Sequence, residues 1–136
     1  YLDGTILFAR EHGYVQTVLG RRRYFPELRG GTGANPQIIR AAERAAVNMP
    51  IQGSAADIIK LAMISLHRLL REQGFAARMV LQVHDELVLE VPAEELDAVC
   101  SLVVDTMENA YQLSIPLKVD VAVGKNWMEM NDIEHA

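Results

Sequence analysis

An α+β fold, a short antiparallel sheet packed on helices, is predicted by three features of this 136-residue chain. Residues 79 to 91 alternate apolar and polar side chains on either side of a polar tip, the period-two signature of a β-hairpin with one buried face. Residues 37 to 48, 54 to 70 and 92 to 111 are helix-prone, the last two with apolar side chains at helical spacing. The resulting order is helix, short hairpin, two helices, hairpin, helix, strand. A short sheet backed by helices on one face is the economical architecture for that order.

Each element has a local cause. Leu2, Ile6, Phe8 and Ala9 give a partial helical stripe over residues 1 to 12, read as the tail of an upstream helix, which Gly13 stops. Residues 14 to 19 are a strand by composition, Gly20 marks a turn, and Arg21-Arg22-Arg23-Tyr24-Phe25-Pro26 follows. Residues 29 to 36, rich in Gly, read as a loop. In the helix of residues 37 to 48, Arg40 and Arg44 lie four apart on one face. Pro50 is expected to break or kink that helix. A second helix is expected to start near Gly53-Ser54, with Ser54 and Asp57 spaced as a capping box. Ala55, Ile58, Ile59, Ala62, Leu66, Leu69 and Leu70 form its buried stripe, and Gly74 ends it.

In the hairpin that follows, Met79, Leu81 and Val83 alternate on the first arm and Leu87, Leu89 and Val91 on the second. Pro92 opens a third helix whose N-terminus is favoured by Glu94, Glu95 and Asp97. Its core stripe is Leu96, Val99, Cys100, Val103, Val104, Met107 and Tyr111. Residues 117 to 123 alternate as a last strand, expected to lie back in the hairpin's sheet.

Composition narrows the function. Half of the residues are hydrophobic, enough for a sizeable core. Cys100 is the single cysteine and falls in an apolar helical pattern, which fits a buried thiol better than a disulfide or a nucleophile. There is no run of 18 apolar residues, so no membrane partner is expected. The net charge is −5, yet its distribution is uneven. Residues 1 to 78 hold 11 Lys/Arg and 6 Asp/Glu, a balance of +5; residues 79 to 136 hold 2 and 12, a balance of −10. A basic half joined to an acidic half suits a protein that grips a polyanion with one and holds cations with the other.

The hairpin tip, His84-Asp85-Glu86, carries the chemistry. It lacks the Gly or Asn of a tight turn and instead holds two adjacent acids. Two carboxylates about 4 Å apart repel by roughly 4 kcal/mol at an effective dielectric near 20. Either solvent screens them, as in an ordinary water-facing turn, or a cation sits there, which makes the tip a candidate hard-metal site for phosphate chemistry. Adjacent strand residues point to opposite faces, so one of the two acids is expected to be the ligand and the other a helper.

Several segments together resemble one family. Gly20-Arg21-Arg22-Arg23-Tyr24, Ala42-Glu43-Arg44, the run from Asn48 to Asp57, Gln82-Val83-His84-Asp85-Glu86-Leu87 and Val123-Gly124-Lys125-Asn126-Trp127 resemble, in order, the C-terminal part of bacterial family A DNA polymerases. The resemblance implies that residues 1 to 136 are a C-terminal portion of a polymerase domain, belonging to its palm. It implies template-directed transfer of a nucleotide from a dNTP to a primer 3′-hydroxyl in a bacterial, cytoplasmic enzyme. Asp85 would then be the catalytic carboxylate that binds two Mg²⁺ ions, with Glu86 as a secondary catalytic acid. By the same resemblance, Arg44, Asn48, Gln52 and His84 are expected to contact primer-template DNA. Arg suits a phosphate or minor-groove acceptor, and Asn and Gln can donate to acceptors that every base pair presents there.

The family's other metal-binding aspartate and its nucleotide-binding helix have no counterpart here and are expected upstream of Tyr1; Asp120 is not regarded as a substitute. The isolated segment is therefore expected to be inactive and prone to self-association, and its parent monomeric. Two rival readings are the palm of a phage-type single-subunit RNA polymerase, and a non-catalytic α+β module that binds DNA, in which His84-Asp85-Glu86 is only a turn.

Overall fold

Residues 1–30 and 35–133 are described by a computed structural model of the chain. The elements in order are helix α1 (Leu2–His12), strands β1 (Tyr14–Gln16) and β2 (Arg22–Tyr24), helix α2 (Pro26–Arg29), helix α3 (Pro36–Glu72), strands β3 (Arg78–Val83) and β4 (Glu86–Glu90), helix α4 (Leu96–Glu108), and strands β5 (Val121–Gly124) and β6 (Met130–Ile133). The α+β class is as expected. The chain divides into two units, Tyr1–Asp57 and Ile58–Ala136.

In the first unit, α1 ends at Gly13, whose φ of 79° places it in the left-handed region that glycine enters at little cost. The Gly13 N–H donates back to the Ala9 carbonyl, and its own carbonyl accepts from Phe25 N at 2.8 Å. That closes the β1–β2 hairpin against the helix end. Strand β1 stops at Gln16 rather than running to Leu19, because Thr17 to Gly20 form the turn instead. Ala9, Val15, Phe25, Leu28, Ala42, Ala46 and Met49 make the core. The loop expected over residues 29 to 36 falls mostly on 31–34, outside the described residues.

Helix α3 corrects two expectations. It runs through Pro50 without a break, and Ser54 lies inside it, not at an N-terminus. An interior proline costs about 3 kcal/mol in an isolated helix. Tertiary ties on both sides of Pro50 offset that cost: Ala46 and Met49 are buried before it, and Ser54 and Asp57 after it. The Ser54 hydroxyl is not a cap. It donates to the Pro50 carbonyl one turn back and accepts from Val18 N at 3.0 Å.

In the second unit, Leu66 and Leu70 of α3, Ala77 and Val99 form a core on which Met79, Leu87, Leu89, Val91, Leu102 and Val103 pack. Gly74, with φ 74°, ends the helix as expected. The second hairpin arm keeps its alternation. The first does not: the pairing shifts between Met79 and Leu81, and this bulge leaves Val80 and Leu81 each 49% exposed. Strand β5 also differs from expectation. It begins at Val121 and pairs with β6, Val121 opposite Ile133, not with the β3–β4 hairpin. Ahead of it, the Val119 N–H donates to Glu108 Oε1 at 3.0 Å and so is not part of a ladder.

Candidate functional site

The second hairpin closes on the pair Val83–Glu86, leaving His84 and Asp85 as a two-residue turn. Two-residue hairpin turns demand positive φ, normally from Gly or Asn. Here His84 adopts it, at φ 55°, and among the described residues no other non-glycine residue does. Left-handed backbone costs an ordinary L-residue roughly 1–2 kcal/mol. Gln82 holds the turn by donating its Nε2–H to the His84 carbonyl at 2.6 Å. His84 thus takes a backbone conformation that glycine adopts more easily but that histidine enters more often than most residues.

This geometry refines the expected three-residue tip. Asp85 is in the turn and Glu86 is the first residue of β4, so the two acids occupy different backbone environments. His84, Asp85 and Glu86 are all exposed, and neither acid has an ion pair or side-chain hydrogen bond among the described residues. No cluster of three or more His, Cys, Asp and Glu suited to a metal exists among the described residues. Asp120 is exposed and precedes β5. The tip offers hard, solvent-facing carboxylate oxygens, which suit Mg²⁺ as one or two ligands to a mostly hydrated ion.

In the first unit, the unbroken α3 puts Arg44, Asn48 and Gln52 on one helical face, because residues four apart recur there. All three are exposed. Ion pairs take up other charges of this unit: Arg10 with Glu43, and Arg21 with Asp57 at 2.9 Å. Arg44 has no ion pair among the described residues. Gln52 lines an open cleft of about 380 Å³ with Arg21, Arg22, Arg23, Met49 and Gly53. Arg21 and Asp57 both lie in segments that carry the family resemblance, and Asp57 joins Arg21 in place of the capping box that its spacing from Ser54 suggests.

The Cys100 thiol is buried, and its pKa is raised by that burial and by the nearby Asp97 carboxylate. Both effects disfavour the thiolate, the reactive form of the side chain. Among the described residues, no helix is long and apolar enough to cross a membrane.

Residues 1–129 match the family model for DNA polymerase family A. The chain is 50% identical over 134 residues to DNA polymerase I of Chloroflexus aurantiacus, covering 98% of the chain and 14% of the relative. With DNA polymerase I of Mycobacterium tuberculosis it shares 54% identity over 127 residues, 93% of the chain and 14% of the relative. Among solved structures, it is similar to the polymerase domain of Pol1 from M. smegmatis in complex with DNA primer-template and dNTP. That match has a TM-score of 0.82 and 52% identity, over 87% of the chain and 20% of that structure. The chain thus spans about a seventh of the length of the curated relatives it matches.

Proposed function

The chain belongs to DNA polymerase family A, and we propose that it supplies the C-terminal part of the palm in a bacterial, cytoplasmic enzyme that copies DNA. The reaction is attack of a primer 3′-hydroxyl on the α-phosphate of a dNTP, in line with the departing pyrophosphate. The observation that carries this reading is the β3–β4 turn. It spends backbone strain at His84 to present Asp85 to solvent, unpaired with any cation of the described residues.

Asp85 is assigned as a ligand of the catalytic Mg²⁺ ions. When bound, such ions neutralise charge on the phosphoryl oxygens and lower the pKa of the attacking hydroxyl. The exposed carboxylate fits that donor role, and the further carboxylate comes from a part of the parent outside this chain. Glu86, on the strand rather than in the turn, is assigned the secondary acidic role. His84 lies beside the primer terminus in this reading. Arg44, Asn48 and Gln52 project three donors from one face of α3 toward the DNA, where Arg44 meets a phosphate or minor-groove acceptor and Asn48 and Gln52 meet base acceptors. Acceptors common to every base pair give contacts that do not depend on sequence, as copying any template requires. Catalysis then rests on positioning and on charge stabilisation.

The family match favours this reading over the phage-type RNA polymerase palm. The same match favours it over a non-catalytic binding module with a plain turn at residues 84 to 86. Primer extension by a full-length protein carrying this segment, followed as Mg²⁺ is titrated, tests the assignment. Asp85→Asn should abolish extension or raise the Mg²⁺ it needs. An unchanged Mg²⁺ dependence would overturn the role of Asp85.

A further inference from the structure

The stretch Pro50-Ile51-Gln52-Gly53-Ser54 is badly suited to a stiff helix. Pro50 removes a backbone donor, Gly53 costs about 1 kcal/mol relative to alanine, and the Ser54 hydroxyl competes for the Pro50 carbonyl. Yet the stretch is helical and carries Gln52 on its exposed side. Something outside the helix must stiffen it.

The β1–β2 turn does so. Arg21 donates from Nε to Asp57 Oδ1 at 2.9 Å and from Nη2 to the Gly53 carbonyl at 3.1 Å. One planar guanidinium thus spans more than a helical turn just after Gln52. Its own backbone N–H donates to Thr17 Oγ1 at 3.1 Å, and Val18 N donates to Ser54 Oγ. Thr17 lies so close to Gly53 that a Cβ there would come within 2.8 Å of its Cγ2. The Asp57 side chain is only 8% exposed, so the anchor of the brace is fixed in the unit's interior. A forked, always-charged donor is required to reach both acceptors at once.

We infer that Arg21 is a positioning residue for Gln52: it holds the turn of α3 that presents the Gln52 amide, and matched primer ends are favoured through it. This rests on the reading of Gln52 as a minor-groove contact. Arg21 itself makes no base contact in this scheme; its guanidinium is committed to Asp57 and Gly53.

The test uses a full-length protein carrying this segment, as wild type, Gln52→Ala, Arg21→Ala, the double variant and Arg21→Lys. The kcat/KM for adding the next nucleotide is measured from matched and from mismatched primer ends, with the Tm of each protein. Gln52→Ala should lower extension from the matched end about tenfold, the scale of one lost hydrogen bond, and from the mismatched end much less. Arg21→Ala should reproduce that change of ratio. In the Gln52→Ala background it should add little, because residues acting as a unit are not additive. Arg21→Lys, which keeps the charge but not the fork, should fall between.

Equal losses on both ends in Arg21→Ala, or losses that multiply in the double variant, would overturn the inference and leave the Gln52 reading standing. No matched-end loss in Gln52→Ala, or an equal loss from both ends in it, would remove the Gln52 reading and the inference with it. Should Arg21→Ala not fold, Arg21→Lys decides, and a wild-type ratio in it overturns the inference.

Discussion

Glu95 accepts hydrogen bonds from the backbone of Ala76: both carboxylate oxygens reach its N–H, at 3.0 and 3.1 Å, and Oε2 also takes the Ala77 N–H at 3.1 Å. The segment entering β3 is thereby tied to the segment entering α4, and two donors left over between helix and strand are satisfied. An acid expected only to favour the positive end of its own helix instead holds two elements together.

Glu95→Ala should therefore destabilise the protein by about 1–2 kcal/mol, the range for hydrogen bonds to a charged acceptor that is partly solvated. Glu95→Gln, which keeps one carbonyl oxygen, should cost less. Chemical denaturation of a full-length protein carrying this segment gives both values. Equal stability of Glu95→Ala and wild type would mean that water replaces the carboxylate without loss.

Gly53→Ala sets two effects against each other. Alanine gains about 1 kcal/mol in helix propensity. The new methyl would meet Thr17 Cγ2 at 2.8 Å in a buried contact. Overpacking of that kind costs typically 1–3 kcal/mol. The clash should win, for a net loss of up to about 2 kcal/mol, and Thr17→Ser in the same chain should restore part of it by removing the methyl. A stabilised Gly53→Ala protein would show that the turn gives way freely.

Local features were legible in the sequence, and those decided by distant contacts were not. Gly13 and Gly74 end their helices because glycine alone enters the left-handed region cheaply, a preference written at one position. The period of Leu87, Leu89 and Val91 identifies the core face of β4 from the strand alone. At Pro50 and Ser54 local propensity argues for a break, whereas ties to Val18 and Arg21 keep the helix whole. Strand β6 is Met-Asn-Asp-Ile, exposed throughout, and carries no periodic signal. As to the site, the acids of the β3–β4 hairpin were identifiable from sequence, and the common face of Arg44, Asn48 and Gln52 followed once the helix was known to continue. The strained φ of His84 and the brace of Arg21 exist only in three dimensions.

Arg44→Ala should leave the Tm almost unchanged, since an exposed arginine without an ion pair among the described residues contributes little to stability. It should weaken primer-template binding and flatten its dependence on salt by about one phosphate equivalent. Fluorescence anisotropy over a salt series, beside a thermal melt, checks both. A large fall in Tm with an unaltered salt slope would make Arg44 a structural residue.

In the proposed function Asp85 serves the chemistry of phosphoryl transfer rather than the fold or the grip on DNA. Its most direct test is single-turnover nucleotide incorporation by the Asp85→Ala form of a full-length protein carrying this segment, with the primer-template Kd measured alongside. The expected result is a rate lower by on the order of 10³ or more, as when a group that stabilises transition-state charge is removed, with Kd changed no more than a fewfold. A near-normal rate, or a loss that lies wholly in Kd, would contradict the assignment.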